Sequence, residues 1–379
     1  MFKRTEESKL TSWFFEIDRH LLYAVLFMIA IGIVFAVSAG SVAAERINKP
    51  WFFFIVKALP FYAVGIGTLF VASLLNKKMV LGLSVFNVVI GFLLLVVTVI
   101  APHFIKGSAR FVVIEPIHIL PSDIMKPGFI ILTAWFLSEM RKRFGDNMFY
   151  NKAAWKLHWF SWWTYLAAFI PMLGIIWQHP DVGTSLLYLG VLITMLFIAG
   201  LPLSAFGILI GGGIGMLTLA YYIHPHVHNR IESLLTGTGD TYQVTQSVQS
   251  IRHGGLFGRG DDAFIKQSLP DAHTDFIYAA IAEDLGAIMA CLLLALLIYV
   301  LKLLVTDAMG ARDKFVFYAV GGGAALFGIQ SCINLVSTLH LFAPKGMTLP
   351  FISYGGSSLI GFCLLFGMIL AIVREDKWK

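Results

Sequence analysis

Residues 79–101 read MVLGLSVFNVVIGFLLLVVTVIA, twenty-three residues with no ionisable side chain, preceded by Lys77-Lys78. A hydrocarbon core about 30 Å thick takes about 20 apolar residues per helix, so this stretch predicts a transmembrane span. Nine further runs of the same kind lie near 21–43, 51–74, 121–140, 160–178, 183–200, 202–223, 274–302, 315–341 and 349–373. The expected fold is an all-α polytopic membrane protein with about ten transmembrane helices. The runs are continuous rather than alternating, which excludes an outer-membrane barrel. Small residues follow the first run at Ser41–Ala44. Its apolar stretch exceeds the roughly 7–15 residues of a signal-peptide core, so it reads as a retained helix.

Composition agrees. Of 379 residues, 58% are hydrophobic and 13% charged, whereas soluble domains carry about 25% charged residues. Disordered chains are poor in aromatics, and this one holds 32 Phe. A disulfide scaffold is excluded because the three cysteines, Cys291, Cys332 and Cys363, sit inside apolar runs, where they read as small core hydrophobes. The net charge of +6 belongs to topology rather than to nucleic acid. With the N-terminus inside, seventeen Lys and Arg fall in inner segments and nine in outer ones. That bias places both termini in the cytoplasm. The chain then reads as one membrane domain, 1–379. It has a short inner segment 1–20, a large outer loop 224–273 between the seventh and eighth helices, and an inner tail 374–379. The basic cluster Arg141–Arg143 is a topology anchor.

Ionisable groups at membrane depth are costly and mark either function or a paired structural site. Here they gather at the outer ends of spans. His273-Thr274-Asp275 opens the eighth span, with Glu283 and Asp284 two turns deeper. Asp275 could cap that helix, or act as a general base whose pKa an apolar mouth would raise. Pro121-Ser122-Asp123 with Lys126 reads as a helix start capped by Ser122. Asp123 and Lys126, three apart, either neutralise each other or present a half-buried cation to an anion. Gly107-Ser108-Ala109-Arg110, next to Phe111, offers an Arg fork suited to phosphate oxygens. Asp181 in Pro180-Asp181-Val182-Gly183-Thr184 suits a helix N-cap. Lys345–Pro350 and Ser353–Ser358, with Ser353, Ser357 and Ser358, allow either close helix packing or a polar cavity lining. His224, His226 and His228 alternate along a loop, which is not a zinc-site spacing. Neither a P-loop nor a dinucleotide fingerprint occurs.

Five of these stretches carry a resemblance. KGMTLPFISYGGSS at 345–358, LPDAHTDFIYAAIAEDLG at 269–286, GGLFGRG at 254–260, LPSDIMK at 120–126 and HPDVGTS at 179–185 closely resemble, in order, the signatures of the FtsW/RodA/SpoVE (SEDS) family. TYQVTQSVQSI, LPDAHTDF and KGMTLPFISYGGSS look more like the division branch than the elongation branch. Leu120 stands where the family often has Gln, Asp123 where it has Glu, and Phe111 where it often has Trp.

The resemblance implies a peptidoglycan glycosyltransferase of the cytoplasmic (inner) membrane, placed at the division septum. Its substrate would be lipid II, polymerised at the outer face. The family's essential acid falls on Asp275. Arg110 and Lys126 are the candidates for the pyrophosphate. Phe111, Ser122, Asp123, Asp181, His273, Thr274, Glu283, Lys345, Ser353, Ser357 and Ser358 complete the expected substrate-binding set. A divalent cation, Mg2+ or Mn2+, is implied, riding on substrate phosphates without a dedicated cage. A class B penicillin-binding protein and other divisome membrane proteins are the expected partners. A lipid II transporter, an elongation polymerase and a scaffold are the alternatives. Transport would call for midplane polar sites, whereas the polar groups here lie at one face.

Overall fold

Several helices start in this chain where a short polar side chain takes an orphan N–H. Asp18 accepts from Leu21 N at 3.0 Å, Asn76 from Met79 N at 2.9 Å, and Asp313 from Phe315 N at 2.9 Å. Ser161 and Thr164 form a reciprocal capping box. The computed structural model describes residues 9–102, 110–114, 117–179, 181–223, 227–229, 231–232, 242–341 and 346–378.

In chain order the helices are α1 (Lys9–Glu16), α2 (Arg19–Arg46), α3 (Phe53–Ser73), α4 (Lys77–Ile100), α5 (Pro121–Phe144), α6 (Trp162–Gln178), α7 (Val182–Ile198), α8 (Leu203–Ile223), α9 (Tyr242–Gly254), α10 (Ile277–Met309), α11 (Lys314–Thr338) and α12 (Gly356–Trp378). Every expected run is helical. By length and composition seven of them, α2, α3, α4, α8, α10, α11 and α12, can cross a membrane. Helix α5 carries Asp123, Lys126 and its basic last turn, while α6 and α7 stop at 17 residues each. The protein is an all-α polytopic membrane protein.

Two boundaries differ from expectation near the site. Helix α10 starts at Ile277 rather than 274, and α12 at Gly356 rather than 349. A two-stranded antiparallel hairpin, β1 (Val112–Ile114) with β2 (Ile117–Ile119), is the one departure from all-α among the described residues. It leads from Arg110 directly into α5.

The centre of the bundle is α12 with α11. The apolar stretch of α12 is 89% buried and that of α11 72%, against 6% for α8. Cys363 on α12 is buried, but Cys291 and Cys332 are exposed. They lie on the apolar outer faces of α10 and α11, because in a bilayer protein an apolar position is no guide to burial.

Helix α5 crosses α4 where Pro127 interrupts its hydrogen-bond ladder. The Asn87 side chain fills the gap, donating to Ile124 O at 3.0 Å and accepting from Gly128 N at 3.0 Å. This sets the first turn of α5, with Asp123 and Lys126, apart from the rest of the helix.

The two described chain ends share one face. Lys377 bridges Asp18 at 3.1 Å and Asp307 at 2.7 Å, and Trp378 Nε1 donates to Glu16 O at 3.0 Å. Asp376 accepts from Arg312 N and Asp313 N, and Glu375 accepts from Lys77 N. The last turns of α12 thereby hold the loops before α2, α4 and α11.

Candidate active site

At the opposite face, residues 270–276 form a turn before α10. Asp271, at φ 54°, presents its carbonyl to Thr274 N at 3.0 Å and Asp275 N at 3.1 Å. Asp275 therefore stands ahead of the helix rather than capping it. Phe276 occupies the N-cap position without a side-chain bond. Thr274 Oγ1 turns back to Asp271 O at 3.2 Å.

This turn is bound to the second signature. Asn334 of α11 donates through Nδ2 to Asp275 O at 2.8 Å and to Met347 O at 2.6 Å. A Cβ on Gly346 would lie 2.6 Å from Asp275 Oδ2, so a larger residue here would push the carboxylate aside. Tyr354 N donates to His273 O at 2.9 Å, and the His273 ring lies 4.7 Å from Phe54 and 5.5 Å from Tyr354. Asp275 and His273 thus join two motifs about seventy residues apart in sequence. Lys345 and Gly107–Ala109 lie outside the described residues.

The start of α5 comes next to the same segment. Pro121 takes the first helical position and Leu120 the cap, which places Ser122 inside the helix and corrects its expected N-cap role. The Ser122 carbonyl accepts from Tyr188 Oη at 2.6 Å, and its hydroxyl has no hydrogen-bond partner among the described residues. Lys126 is 5% exposed. Its Nζ lies 2.6 Å from Asp123 Oδ1 and 2.8 Å from Gln330 Oε1. Gln330 Nε2 donates to Thr348 O at 2.9 Å, and Thr348 Oγ1 to Ser358 Oγ at 2.8 Å. Ser357 Oγ accepts from Leu120 N at 3.0 Å, and Ser353 Oγ from Leu349 N at 2.8 Å. One polar chain therefore runs from Asp123 through Lys126, Gln330 and Thr348 to Ser358. A buried ion pair adds little net stability, so its presence here points to function more than to folding.

Arg110 forms the outer edge. Its guanidinium lies 3.6 Å from Asp181 and 5.3 Å from the Phe111 ring centroid. Asp181 is buried and also caps α7, accepting from Thr184 N at 3.3 Å. Beside it His179 Nε2 meets Thr98 Oγ1 at 3.0 Å. Burial holds the His179 pKa below the ordinary imidazole value, although the nearby Asp181 charge pulls the other way.

Glu283 belongs to a different construction. It is fully buried, and Ser250 Oγ, Ile265 N and Lys266 N donate to it at 2.5, 2.8 and 2.7 Å, with His253 Nδ1 at 2.9 Å. Those partners come from α9 and from the turn Ile265–Ser268, so Glu283 brackets the segment between α8 and α10. Asp284 pairs with Lys266 at 2.5 Å and accepts from Ser38 Oγ at 2.7 Å. Two residues on, α10 breaks at Gly286, with φ 83° and ψ 175°. The glycine-rich turn fills the break. Ala287 N donates to Gly255 O at 2.9 Å, Ile288 N to Leu256 O at 3.3 Å, and Arg259 N to Glu283 O at 2.9 Å. Broken helices are tolerated at membrane depth where other backbone satisfies the freed groups.

Gln330, Asn334 and Thr348 are site residues that the motif reading passed over. The signal was present as Gln330 and Asn334, four apart inside an apolar span and therefore on one helix face. Among the described residues no group of three His, Cys, Asp or Glu could hold a metal ion. His224 and His226 lie outside the described residues, and His228 pairs with Glu232 at 3.0 Å.

Residues 19–378 match the FtsW/RodA/SpoVE family, described as cell cycle protein. The chain is 31% identical over 377 residues to the probable peptidoglycan glycosyltransferase FtsW of Caulobacter vibrioides (strain NA1000 / CB15N), covering 99% of this chain and 93% of the relative. It is 29% identical over 380 residues to stage V sporulation protein E of Bacillus subtilis (strain 168), covering 95% and 98%. Its fold is similar to a chain from a peptidoglycan synthase complex solved to explain the coordination of polymerization and crosslinking. The TM-score is 0.75 at 22% identity, over 96% of this chain and 99% of that one. With the family matched across nearly its whole length, and the family's motifs gathered at one end of the bundle, the chain belongs to the FtsW/RodA/SpoVE family.

Proposed function

We propose that this protein is a peptidoglycan glycosyltransferase of the division branch, polymerising lipid II at the outer face of the cytoplasmic membrane. The observation that carries the assignment of the acid is the Asp275 carboxylate lying against Gly346 at the face opposite the chain ends, joined through Asn334 to the segment that also receives Gln330, the partner of Lys126. Relatives named peptidoglycan glycosyltransferase support the reaction class. Both termini are cytoplasmic in this reading, in keeping with their shared face and with the excess of Lys and Arg there.

The 4-hydroxyl of the acceptor sugar attacks the anomeric carbon of the lipid-linked donor. Its proton passes to Asp275, a C–O bond forms, the bond from that carbon to the phosphate oxygen breaks, and the lipid pyrophosphate departs. Proton removal of this kind is worth about 10²–10⁴-fold. Lys126 and Arg110 supply positive charge where the leaving group becomes anionic, each released in part from Asp123 and Asp181. A divalent cation bound largely through the substrate pyrophosphate would add charge neutralisation there, with Asp275 and Asp123 as the carboxylates that would offer it oxygen ligands. A class B penicillin-binding protein would crosslink the product, and the septum would be the place of work.

The test is polymerisation of purified lipid II with Mg2+ or Mn2+ and the cognate transpeptidase, by wild type and by Asp275→Ala. Long glycan from wild type and none from a folded variant is the expected result. Equal polymer from both would remove Asp275 from the chemistry. No polymer from either, with lipid II exchanged between leaflets, would replace the polymerase with a transporter.

A further inference from the structure

The glycine-rich turn also marks where lipid begins. Every residue of α10 from Ile277 to Glu283 is buried. From Leu285 onward the helix exposes Leu285, Ile288, Met289, Leu292 and Ile298, all apolar. The first exposed cation below them is Lys302. Leu285 to Lys302 spans about 26 Å of helix, close to the roughly 30 Å of a hydrocarbon core. One bilayer boundary therefore falls at the Gly286 break.

The turn is hydrogen-bonded to that boundary through Gly255 O and Leu256 O. Its position is fixed by contact of backbone on backbone. A Cβ on Gly258 would meet Asp284 O at 2.2 Å, and one on Gly286 would meet Leu256 O at 2.3 Å. Yet its tip side chains are left outside the protein, with Leu256 64% and Phe257 82% exposed. Arg252 and Arg259 flank the tip and are exposed. Of the nearby acids, Glu283 is occupied by its four donors and Asp284 by Lys266, while Asp262 lies exposed three residues past Arg259. Apolar side chains at a bilayer boundary with arginines alongside match acyl chains and phosphate headgroups, respectively.

We propose that Leu256 and Phe257 form a lipid-inserting wedge. It anchors the outer segment to the leaflet at the face opposite the chain ends, with Arg252 and Arg259 on anionic headgroups. The occupant of this surface is phospholipid. The anchor holds the α9 segment, and with it the Glu283 bracket, at a fixed height over the membrane.

The test places a fluorophore at the tip. Phe257→Cys, in a chain with Cys291→Ser and Cys332→Ser, is labelled with NBD and reconstituted in vesicles of phosphatidylglycerol and phosphatidylcholine. A label on native Cys291, on the exposed face of α10 just below the break, serves as the in-membrane reference. Insertion gives blue-shifted emission, quenching by doxyl-labelled phosphatidylcholine equal to the reference, and loss of quenching by aqueous iodide. Iodide quenching without doxyl quenching overturns the wedge. Protection from both quenchers means that a protein surface covers the turn, and also overturns it. Arg252→Gln with Arg259→Gln reduces doxyl quenching as phosphatidylglycerol content rises, and an unchanged signal removes the headgroup contacts.

Discussion

Asn334 spends both hydrogens of its amide nitrogen on main-chain carbonyls, Asp275 O at 2.8 Å and Met347 O at 2.6 Å. One side chain in the core of the bundle thus sets the distance between the acid's turn and the segment that runs over it. Asn334→Ala removes the donor from the buried Met347 carbonyl, a cost of about 1–3 kcal/mol, and from the half-buried Asp275 carbonyl. The expected result is a lower unfolding temperature together with a fall in kcat for lipid II polymerisation. Asn334→Asp, which keeps the size but not the donors, should behave like the alanine variant.

Gly346→Ala tests the carboxylate's position more directly. The added methyl has no room beside Asp275 Oδ2, so the carboxylate must move. A displacement of about 1 Å in a reacting group can cost roughly 10²-fold in rate. Polymerisation should fall by that order while the melting temperature changes little. Loss of activity with loss of folding would assign Gly346 to packing instead.

Removing Lys126 strands a buried carboxylate. Lys126→Met should destabilise by about 3–5 kcal/mol, because Asp123 then keeps an uncompensated charge. Pairing it with Asp123→Leu should recover most of that stability but none of the polymerisation. Thermal unfolding in detergent and lipid II assays on the same preparations separate the two effects.

His179 gives the site an acid-sensitive edge. Its folded pKa lies below its unfolded value, so the unfolded chain binds the proton more tightly. The associated stability is complete above about pH 6.5 and is lost as pH falls below that value toward the folded pKa. Melting temperatures of wild type should drop across that window. His179→Gln keeps a polar partner for Thr98 and should flatten the profile.

Much of this was legible because membrane helices announce themselves. Each of the ten apolar runs is a helix, since length and hydropathy suffice when the solvent is lipid. Asp123 and Lys126 pair at the expected spacing, and Asp181 caps α7 as its place before Val182 suggested. What the chain order hid was tertiary. Glu283 and Asp275 look equivalent on the sequence, eight residues apart. The break at Gly286 and the turn at Asp271 send them to different partners. The role of the GGLFGRG stretch could not be read locally, because Gly254 and Gly258 are required by backbone from α10, while Gly255 and Gly260 are required only by the turn's own positive φ. Cys291 and Cys332 misled for the opposite reason, as apolar surroundings in sequence mean either protein core or lipid.

The burial of α12 has a consequence for biogenesis. Chains enter the bilayer from the N-terminal side during synthesis, and membrane helices insert before they pack together. Here the helix at the centre of the bundle follows all the others in the chain. Until it arrives, α3 and α5 lack the surface they pack on, and the Lys126 end of α5 lacks Ser357 and Ser358 nearby. The inserted but unassembled protein therefore carries a charged, unsealed interior for as long as translation lasts. A ribosome stall before residue 356 would present the membrane proteases with an open bundle, whereas arrival of α12 closes the core and the loops at the opposite face in one event.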